Sequence, residues 1–422
     1  MRNTSHQPRS AGMFGRLVAK RHGRLLTKCQ RLVLSWQASD RRGSIAVLAA
    51  AVMVLIMAFA ALSLDVGYIA LTKSQLQIAA DSAALAAAAE FPAGLVSTSS
   101  SSATAVAAAA QGSAEMLAAS NRAAERAEVY LNPTRDVTLG RLTWDATQQA
   151  WVEQWGVTPY NVARVTVLRD QAPPSDPTRP VGDEGIPLFF ARVLGQERAE
   201  LSVSATAALF PAAGFRIQAG SGMTAPVLPI ALDLPTWDAL LAGSGSDNFN
   251  YNPTTGGVSS GADSVLELNL YPNGSANLPS GNRGTVDLGG SNNSTNDLKR
   301  QILYGLNESD LSYFPNGLRT DQGPLYINGD TGLSAGIKDD LAAIIGQPRA
   351  IPIFTAVSGP GNNATYTVVK FVGIRILDVK LTGSPSQKRV IVQPAPVLHP
   401  TIFSGPTTTS SDYVFTTPQL LH

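Results

Sequence analysis

From Gly43 to Leu64 the chain runs 22 residues without a formal charge, nearly all of them Ala, Val, Leu, Ile, Met or Phe. At 1.5 Å per residue a helix of that length reaches roughly 33 Å, enough to cross the hydrocarbon core of a bilayer. No proline interrupts it, so every backbone N–H and C=O can be satisfied inside the helix, as lipid demands. Beyond it Asp65, Lys73, Asp81 and Glu90 return charge sparsely, while Ala, Leu, Gln and Lys keep the composition helix-forming up to Phe91-Pro92. Pro92 disfavours the α region for Phe91 and has no N–H to donate, which marks the end. The pattern predicts one helix of about 47 residues, its first half in the membrane and its second standing out as a stalk.

Downstream, Ser97 to Ser102 reads as a hinge. A second, Ala-rich helix is expected from Ala103 to Leu131, stopped by Asn132-Pro133. Strands are expected at Val137 to Trp144, Trp151 to Trp155, Asn161 to Arg169 and Leu201 to Leu209, with a loop from Pro173 to Gly185. Ile186 to Gly195, IPLFFARVLG, predicts a short buried helix. Residues 97–210 therefore read as a small α+β domain. The second half is richer in Gly, Pro, Ser and Asn. Its expected elements are a strand at Val227 to Leu232, a helical turn at Leu234 to Leu241, a long loop at Gly243 to Gly261 and a strand at Ser264 to Leu270. Helices follow at Ser294 to Leu306 and Gly336 to Ile345, and strands at Ala350 to Ala356, Thr365 to Thr382 and Arg389 to Gln393. The fold class is α+β: residues 1–42 a basic tail, 43–91 the span and stalk, 97–210 the α+β domain, 211–400 a β-rich domain and 401–422 a flexible tail.

Three motifs occur in order along the first helix. They are Arg41-Arg42-Gly43-Ser44-Ile45, then Leu64-Asp65-Val66-Gly67, then Leu76-Gln77-Ile78-Ala79-Ala80-Asp81-Ser82-Ala83-Ala84-Leu85-Ala86. Their order and spacing resemble the N-terminal segment of TadE/TadG-like Flp (tight adherence) pilus-assembly proteins, over about fifty residues of the chain. The stretch from Val162 to Val167, followed by Phe189-Phe190-Ala191-Arg192-Val193-Leu194-Gly195 and an Ala/Thr-rich strand, also resembles the part after the anchor in TadG-like proteins. A processed pilin would resemble Gly43 followed by Glu at the fifth mature position; that position is Leu48, so the likeness is TadG-like. The resemblance implies a structural, non-enzymatic part of a pilus-assembly or secretion apparatus, whose partners are membrane lipid and pilus-assembly or pilin-like proteins. Its anchor and packing face would be Gly43, Asp65, Gly67, Gln77, Ala80, Asp81, Ala83 and Ala84. Small residues let helix backbones approach closely, so the Ala-rich helix is also expected to serve homo-oligomer contacts. Asp65 is expected to cap the exit of the apolar span.

Charge adds an orientation. Residues 1–42 carry ten Lys/Arg, Arg41 and Arg42 among them, against the single acid Asp40, which leaves 22 basic and 30 acidic residues afterwards, a net of −8. The positive-inside rule then keeps the N-terminus cytoplasmic and places the remainder beyond an inner membrane. Beside a span, such a basic tail serves topology and anionic lipid, and no nucleic acid is expected as a partner. Phe14, Leu17, Val18, Leu25, Leu32 and Trp36 give it some amphipathic character. Ala58-Phe59-Ala60 offers a small-x-small cleavage site, but the apolar core is longer than a secretory signal's.

Little catalytic chemistry is arguable. Cys29, the one cysteine, lies in the tail, and the histidines are His6, His22, His399 and His422, so a His-based zinc site or a Ser-His-Asp triad is hard to build. Leu232-Asp233-Leu234-Pro235-Thr236 lacks the serines of a von Willebrand-type metal site. Asp247-Asn248-Phe249-Asn250-Tyr251-Asn252 lacks the closing acid of a calcium loop and reads as Asn-rich turns. No catalytic, cofactor-binding or metal residue is expected. Tyr251, Tyr271, Tyr304, Tyr313 and Tyr326 amid Asn/Gly loops leave open an alternative, a membrane-anchored extracytoplasmic binding or adhesion protein that shares only the anchor.

Overall fold

The structure is a computed structural model that describes residues 41–95, 100–171, 182–271, 283–290, 294–359, 363–406 and 411–421. The amphipathic stretch of the basic tail lies outside the described residues, as do parts of the serine hinge (96–99) and of the Pro/Asp loop (172–181). The chain divides into two compact units: one holds the residues up to Tyr68 with Leu188–Glu197, the other Ile69–Pro187 with Arg198 onward.

In the first unit, helix α1 (Arg41–Ala89) begins as expected and runs unbroken through the apolar stretch. Ile45, Val47, Leu48, Met53, Ile56, Phe59 and Leu64 are each more than half exposed, on every side of the helix. A helix apolar all round and uncovered by protein is suited to lipid. Among the described residues α1 is the one helix long and apolar enough to cross a membrane. The rest of the unit is a finger, Leu188–Glu197, closed at its base by the Leu188 N–H donating to the Glu197 carbonyl at 2.9 Å. Its tip is a 3₁₀ turn, Ala191–Leu194, ended by Gly195 at φ 86, a left-handed conformation that glycine adopts without strain. The expected short buried helix is therefore corrected. Ile186 and Pro187 pair with Ala199 and Arg198, and Val193 and Leu194 are 83% and 72% exposed.

In the second unit the expected stalk half of α1 packs into a core along one side. Leu76, Ala79, Ala80, Ala83, Ala84, Ala87, Ala88 and Phe91 of α1 and its exit are fully buried. Their spacing of three and four residues makes one continuous side of the helix. They share a core with Val106, Ala110, Ala114 and Ala118 of helix α2 (Ser100–Ala119). The same core takes alternate residues of an antiparallel sheet: β1 (Val137–Asp145), β3 (Val162–Arg169) and β4 (Leu201–Ala208), with β2 (Ala150–Trp155) at one edge. The order is β2-β1-β3-β4, followed by a C-terminal strand, Gln419–Leu421, paired with Ala208 to Thr206. Ala is helix-forming and small, so two Ala-rich helices can lie close on such a sheet.

α2 ends twelve residues before the expected Leu131. The Ser120 hydroxyl and Asn121 amide donate back to the Met116 and Leu117 carbonyls, which satisfies the last turn's open acceptors. Asn132-Pro133 starts an element where it was expected to stop one: Asn132 caps a four-residue helix, accepting from the Thr134 and Arg135 N–H, with Pro133 in its first turn.

The β-rich part holds β5 (Ile230–Asp233), β6 (Leu268–Asn269), β7 (Gly284–Val286), β8 (Leu325–Thr331), β9 (Pro348–Ser358), β10 (Ala364–Lys380) and β11 (Arg389–Pro394). They are ordered β6-β11-β10-β8-β7-β5-β9, and β9 pairs β10 as well, so β10, β8, β7, β5 and β9 close into a ring. Closure removes the free edges that an open sheet would present. The strands feed two cores. Ile351, Ile353, Ile374 and Ile376 meet helices α3 (Leu234–Leu241), α4 (Thr295–Tyr304) and α5 (Lys338–Ala343) in one, and Ala350, Phe354, Tyr366 and Phe371 lie in the other. Two of these helices are capped by side chains: Asp233 accepts from the Thr236 N–H and Ser294 from the Asp297 N–H. Part of the expected loop Gly243 to Gly261 forms a hairpin, Phe249–Tyr251 against Val258–Ser260. The expected flexible tail is corrected too, since Ile402–Phe403, Val414–Phe415 and Gln419–Leu421 all pair with earlier strands. Residues 407–410 and 422 lie outside the described residues.

Candidate functional site

Each residue singled out for the anchor lies on α1. Arg41, Arg42 and Gly43 occupy its first turn. Gly67 is exposed, and a Cβ built on it would meet nothing within 4 Å, so nothing inside the chain requires a glycine there.

Asp65 is the most constrained residue of the anchor unit. It follows directly on 22 uncharged residues, yet it is only 3% exposed. Its carboxylate accepts three backbone N–H groups of the finger: Phe189 on Oδ1 at 2.9 Å, and Phe190 and Ala191 on Oδ2 at 2.9 and 2.7 Å. These are the amides that the start of the 3₁₀ turn would otherwise leave without acceptors. Bonds to a carboxylate are stronger than neutral ones, so a single side chain fixes the finger. The Tyr68 ring, one helical turn on, meets Phe189 edge-on with centroids 5.2 Å apart. The expected exit cap is thus a clasp on a segment 124 residues away. Sequence reasoning missed Phe189, Phe190, Ala191 and Arg192 as its other half. The segment was legible as a short apolar run and as part of the TadG-like likeness, and neither pointed to Asp65.

The remaining anchor residues lie in the second unit. Gln77 Nε2 donates to Asp81 Oδ1 at 2.8 Å, one turn along, and to the Ser204 carbonyl of β4 at 3.2 Å. Gln75 Oε1 accepts from the Ala124 N–H at 2.9 Å, and the Ser113 hydroxyl of α2 donates to Glu90. Ala80, Ala83 and Ala84 are fully buried in the shared core. The side of α1 expected to meet a partner helix is therefore covered by the chain's own α2 and sheet. In this unit α1 leaves outside Leu71, 57% exposed, Ser74 and Ile78, the last 56% exposed, together with Ala70, Lys73 and Ala89.

In the second half Asp233 and Asp247, which the sequence offered as metal-site candidates, are engaged in structural roles, as are Asp263 and Glu267. Asp247 accepts from the Asp263 and Ser264 N–H, Glu267 from the Asn248 and Phe249 N–H, and Asp263 from the Tyr251 N–H. These bonds hold the Asn-rich hairpin. Burial pushes the Glu267 carboxyl above its usual range. Asp233, besides capping α3, pairs with the buried Arg283 at 2.5 Å. Among the described residues no three His, Cys, Asp or Glu side chains gather to hold a metal. Of the five tyrosines, Tyr251 stacks under Arg375 and Tyr271 lies 5.8 Å from the Lys388 ammonium. Tyr304, Tyr313 and Tyr326 are exposed. A cleft of about 400 Å³ between the sheet edge and the C-terminal return is lined by Leu142, Trp144, Trp151, Asn161, Asp412 and Tyr413, among others. Asp412 there already accepts from Trp237 Nε1 at 2.8 Å and Lys370 Nζ at 2.6 Å.

Two family models match this chain. Tad, described as Flp pilus-assembly TadE/G-like, matches residues 43–90, and Tad_C, described as Tad-like Flp pilus-assembly, matches residues 72–207. The likeness to the Flp pilus-assembly family therefore holds over residues 43–207, from the apolar span through α2 and the finger to β4. No curated protein and no solved structure matches the chain. Residues 43–207 are similar to Flp pilus-assembly proteins, and among the described residues one helix is long and apolar enough to cross a membrane.

Proposed function

We propose that this chain is a single-pass component of a Flp/Tad-type pilus-assembly or secretion apparatus, acting through protein contacts and without catalysis. The observation that carries this reading is the family likeness over 43–207 joined to a span that no protein surface covers. The excess of Lys/Arg before Gly43 supports an N-terminus in the cytoplasm and a folded body outside the inner membrane. Because the Ala80–Ala83–Ala84 side is occupied, partner contact along α1 is assigned to the outward Leu71–Ser74–Ile78 side.

The test is site-specific photo-crosslinking in cells from positions 71, 74 and 78, with 79, 83 and 87 as internal controls. The outward positions should capture pilins or pilus-platform proteins, and the buried ones only this chain. Lipid or self-adducts alone at all outward positions would sink the assembly role. The exposed Tyr304, Tyr313 and Tyr326 favour the second reading, an anchored adhesion protein, which would then have to carry the function. A reporter active only outside the cytoplasm, fused after Leu421, checks the orientation; an inactive but intact fusion refutes it.

A further inference from the structure

The finger Leu188–Glu197 leaves a chemical question open. Phe189, Phe190, Val193 and Leu194 are 55%, 42%, 83% and 72% exposed, four apolar side chains within six residues. Water-facing loops are mostly polar, and a contiguous apolar patch marks a surface that something covers. The segment is not loose: the Asp65 clasp, the Leu188–Glu197 closure and the Gly195 turn all hold it in shape.

We propose that this finger is a second membrane contact, seated in the interfacial layer of the leaflet at which α1 leaves the bilayer. Three observations identify lipid as the occupant. First, the residue that holds the finger comes immediately after the last residue of the apolar span, so the clasp sets the finger at the depth where hydrocarbon gives way to headgroups. Second, the finger is held beside exposed apolar residues of α1 itself: Phe189 meets Tyr68 and bonds to Asp65, whose neighbours Leu64 and Val66 are 61% and 65% exposed. Third, the composition is that of an interface: the aromatic rings of Phe189 and Tyr68 meet edge-on at the exit, and the exposed Arg192 can reach lipid phosphate while its neighbours enter the acyl region. Asp65 itself faces backbone amides, so no bare carboxylate is presented to lipid. Two points of attachment, a span and a finger, would fix the tilt and rotation of α1, which a lone span leaves free. This inference rests on α1 crossing the membrane.

The experiment uses the full chain in lipid nanodiscs with a Cys29→Ser background. Single cysteines are introduced as Val193→Cys, Leu194→Cys, Val54→Cys in the span and Tyr326→Cys on the body, each labelled with an environment-sensitive fluorophore. Lipids brominated near the headgroup or near the chain end report depth. Labels at 193 and 194 should be blue-shifted and quenched by the shallow bromines at least twofold more than by the deep ones. The 54 label should show the reverse order, and the 326 label neither. Asp65→Asn, which leaves too few acceptors for three N–H groups, should lose the shallow quenching at 193 while the deep quenching at 54 persists. Water-like emission at 193 and 194 with normal quenching at 54 overturns the finger alone. Blue-shifted labels that no lipid quenches overturn it in favour of a protein partner. An unquenched 54 label overturns the span, and the finger with it.

Discussion

The two halves of α1 are built from nearly the same residues and meet opposite surroundings. From Ile45 to Leu64 the helix is exposed on every side, whereas from Leu76 to Phe91 one side is completely buried in a protein core. Both halves are rich in alanine. The difference lies in what is interleaved: Val, Leu, Ile, Met and Phe on all sides in the first, and Lys73, Gln77, Asp81 and Ser82 away from an alanine stripe in the second. A wide apolar circumference suits a solvent that is itself apolar, and a narrow stripe of small residues suits a close protein neighbour. The comparison teaches that the Ala-rich motif of this segment is a packing device directed inward.

The sharpest way to break the comparison is to place one carboxylate in each half. Ala83→Asp would bury an unpaired charge in the core, costing several kcal/mol and leaving the body protease-sensitive in detergent while the protein still fractionates with membranes. Ala50→Asp should do the opposite: insertion weakens by about 2.5–3.5 kcal/mol near the span's centre, with the body's protease resistance intact. Equal effects of the two variants on the body would contradict the assignment.

Adding volume separates the halves more gently. Ala84→Leu forces extra methylenes against fully packed neighbours and should lower the denaturation free energy of the body by about 1–3 kcal/mol. Ala51→Leu, with its side chain in open space, should change it by less than about 0.5 kcal/mol. Equal denaturation midpoints for the two variants would mean the stripe is not packed.

Gly67 tests the junction. It meets nothing within the chain, and glycine inside a helix is less stable than alanine by about 0.5–1 kcal/mol, so Gly67→Ala should be neutral or slightly stabilising in purified protein. If pilus assembly fails in cells that make this stable variant, a partner approaches the helix at that notch.

The smallest effect is that of pH. Between Gly43 and Leu64 there is no titratable side chain, so a response near neutrality does not arise in that stretch. His399 is half-buried, and burial together with the Arg349 charge holds its pKa below the ordinary 6.5. The unfolded chain therefore takes up the proton first. The stability that this neutral imidazole contributes is full above pH 6.5 and is lost as the pH falls from there towards the depressed folded value. Urea midpoints measured from about pH 8 down to about pH 5.5 should fall, and His399→Gln should flatten the slope. An unaltered slope in that variant assigns the effect elsewhere.

What the sequence determined by itself was the content of single segments. The 22-residue uncharged run is long enough to cross a membrane because bilayer thickness and helix rise are both fixed lengths. Ser294 announces a helix start, and Val165 and Val167, two apart, announce a strand, because capping and pleating act over a few residues. Tertiary structure decided everything that joins distant residues. Asp65 meets Phe189 across 124 positions and Gln77 meets Ser204 across 127. Leu421 pairs with Thr206, turning an expected tail into a sheet strand. Such contacts leave no period in the sequence, since neither partner's neighbours must change to make them. For the same reason the alanine stripe was legible as a surface for close packing, while the chain's own fold chose what packs on it.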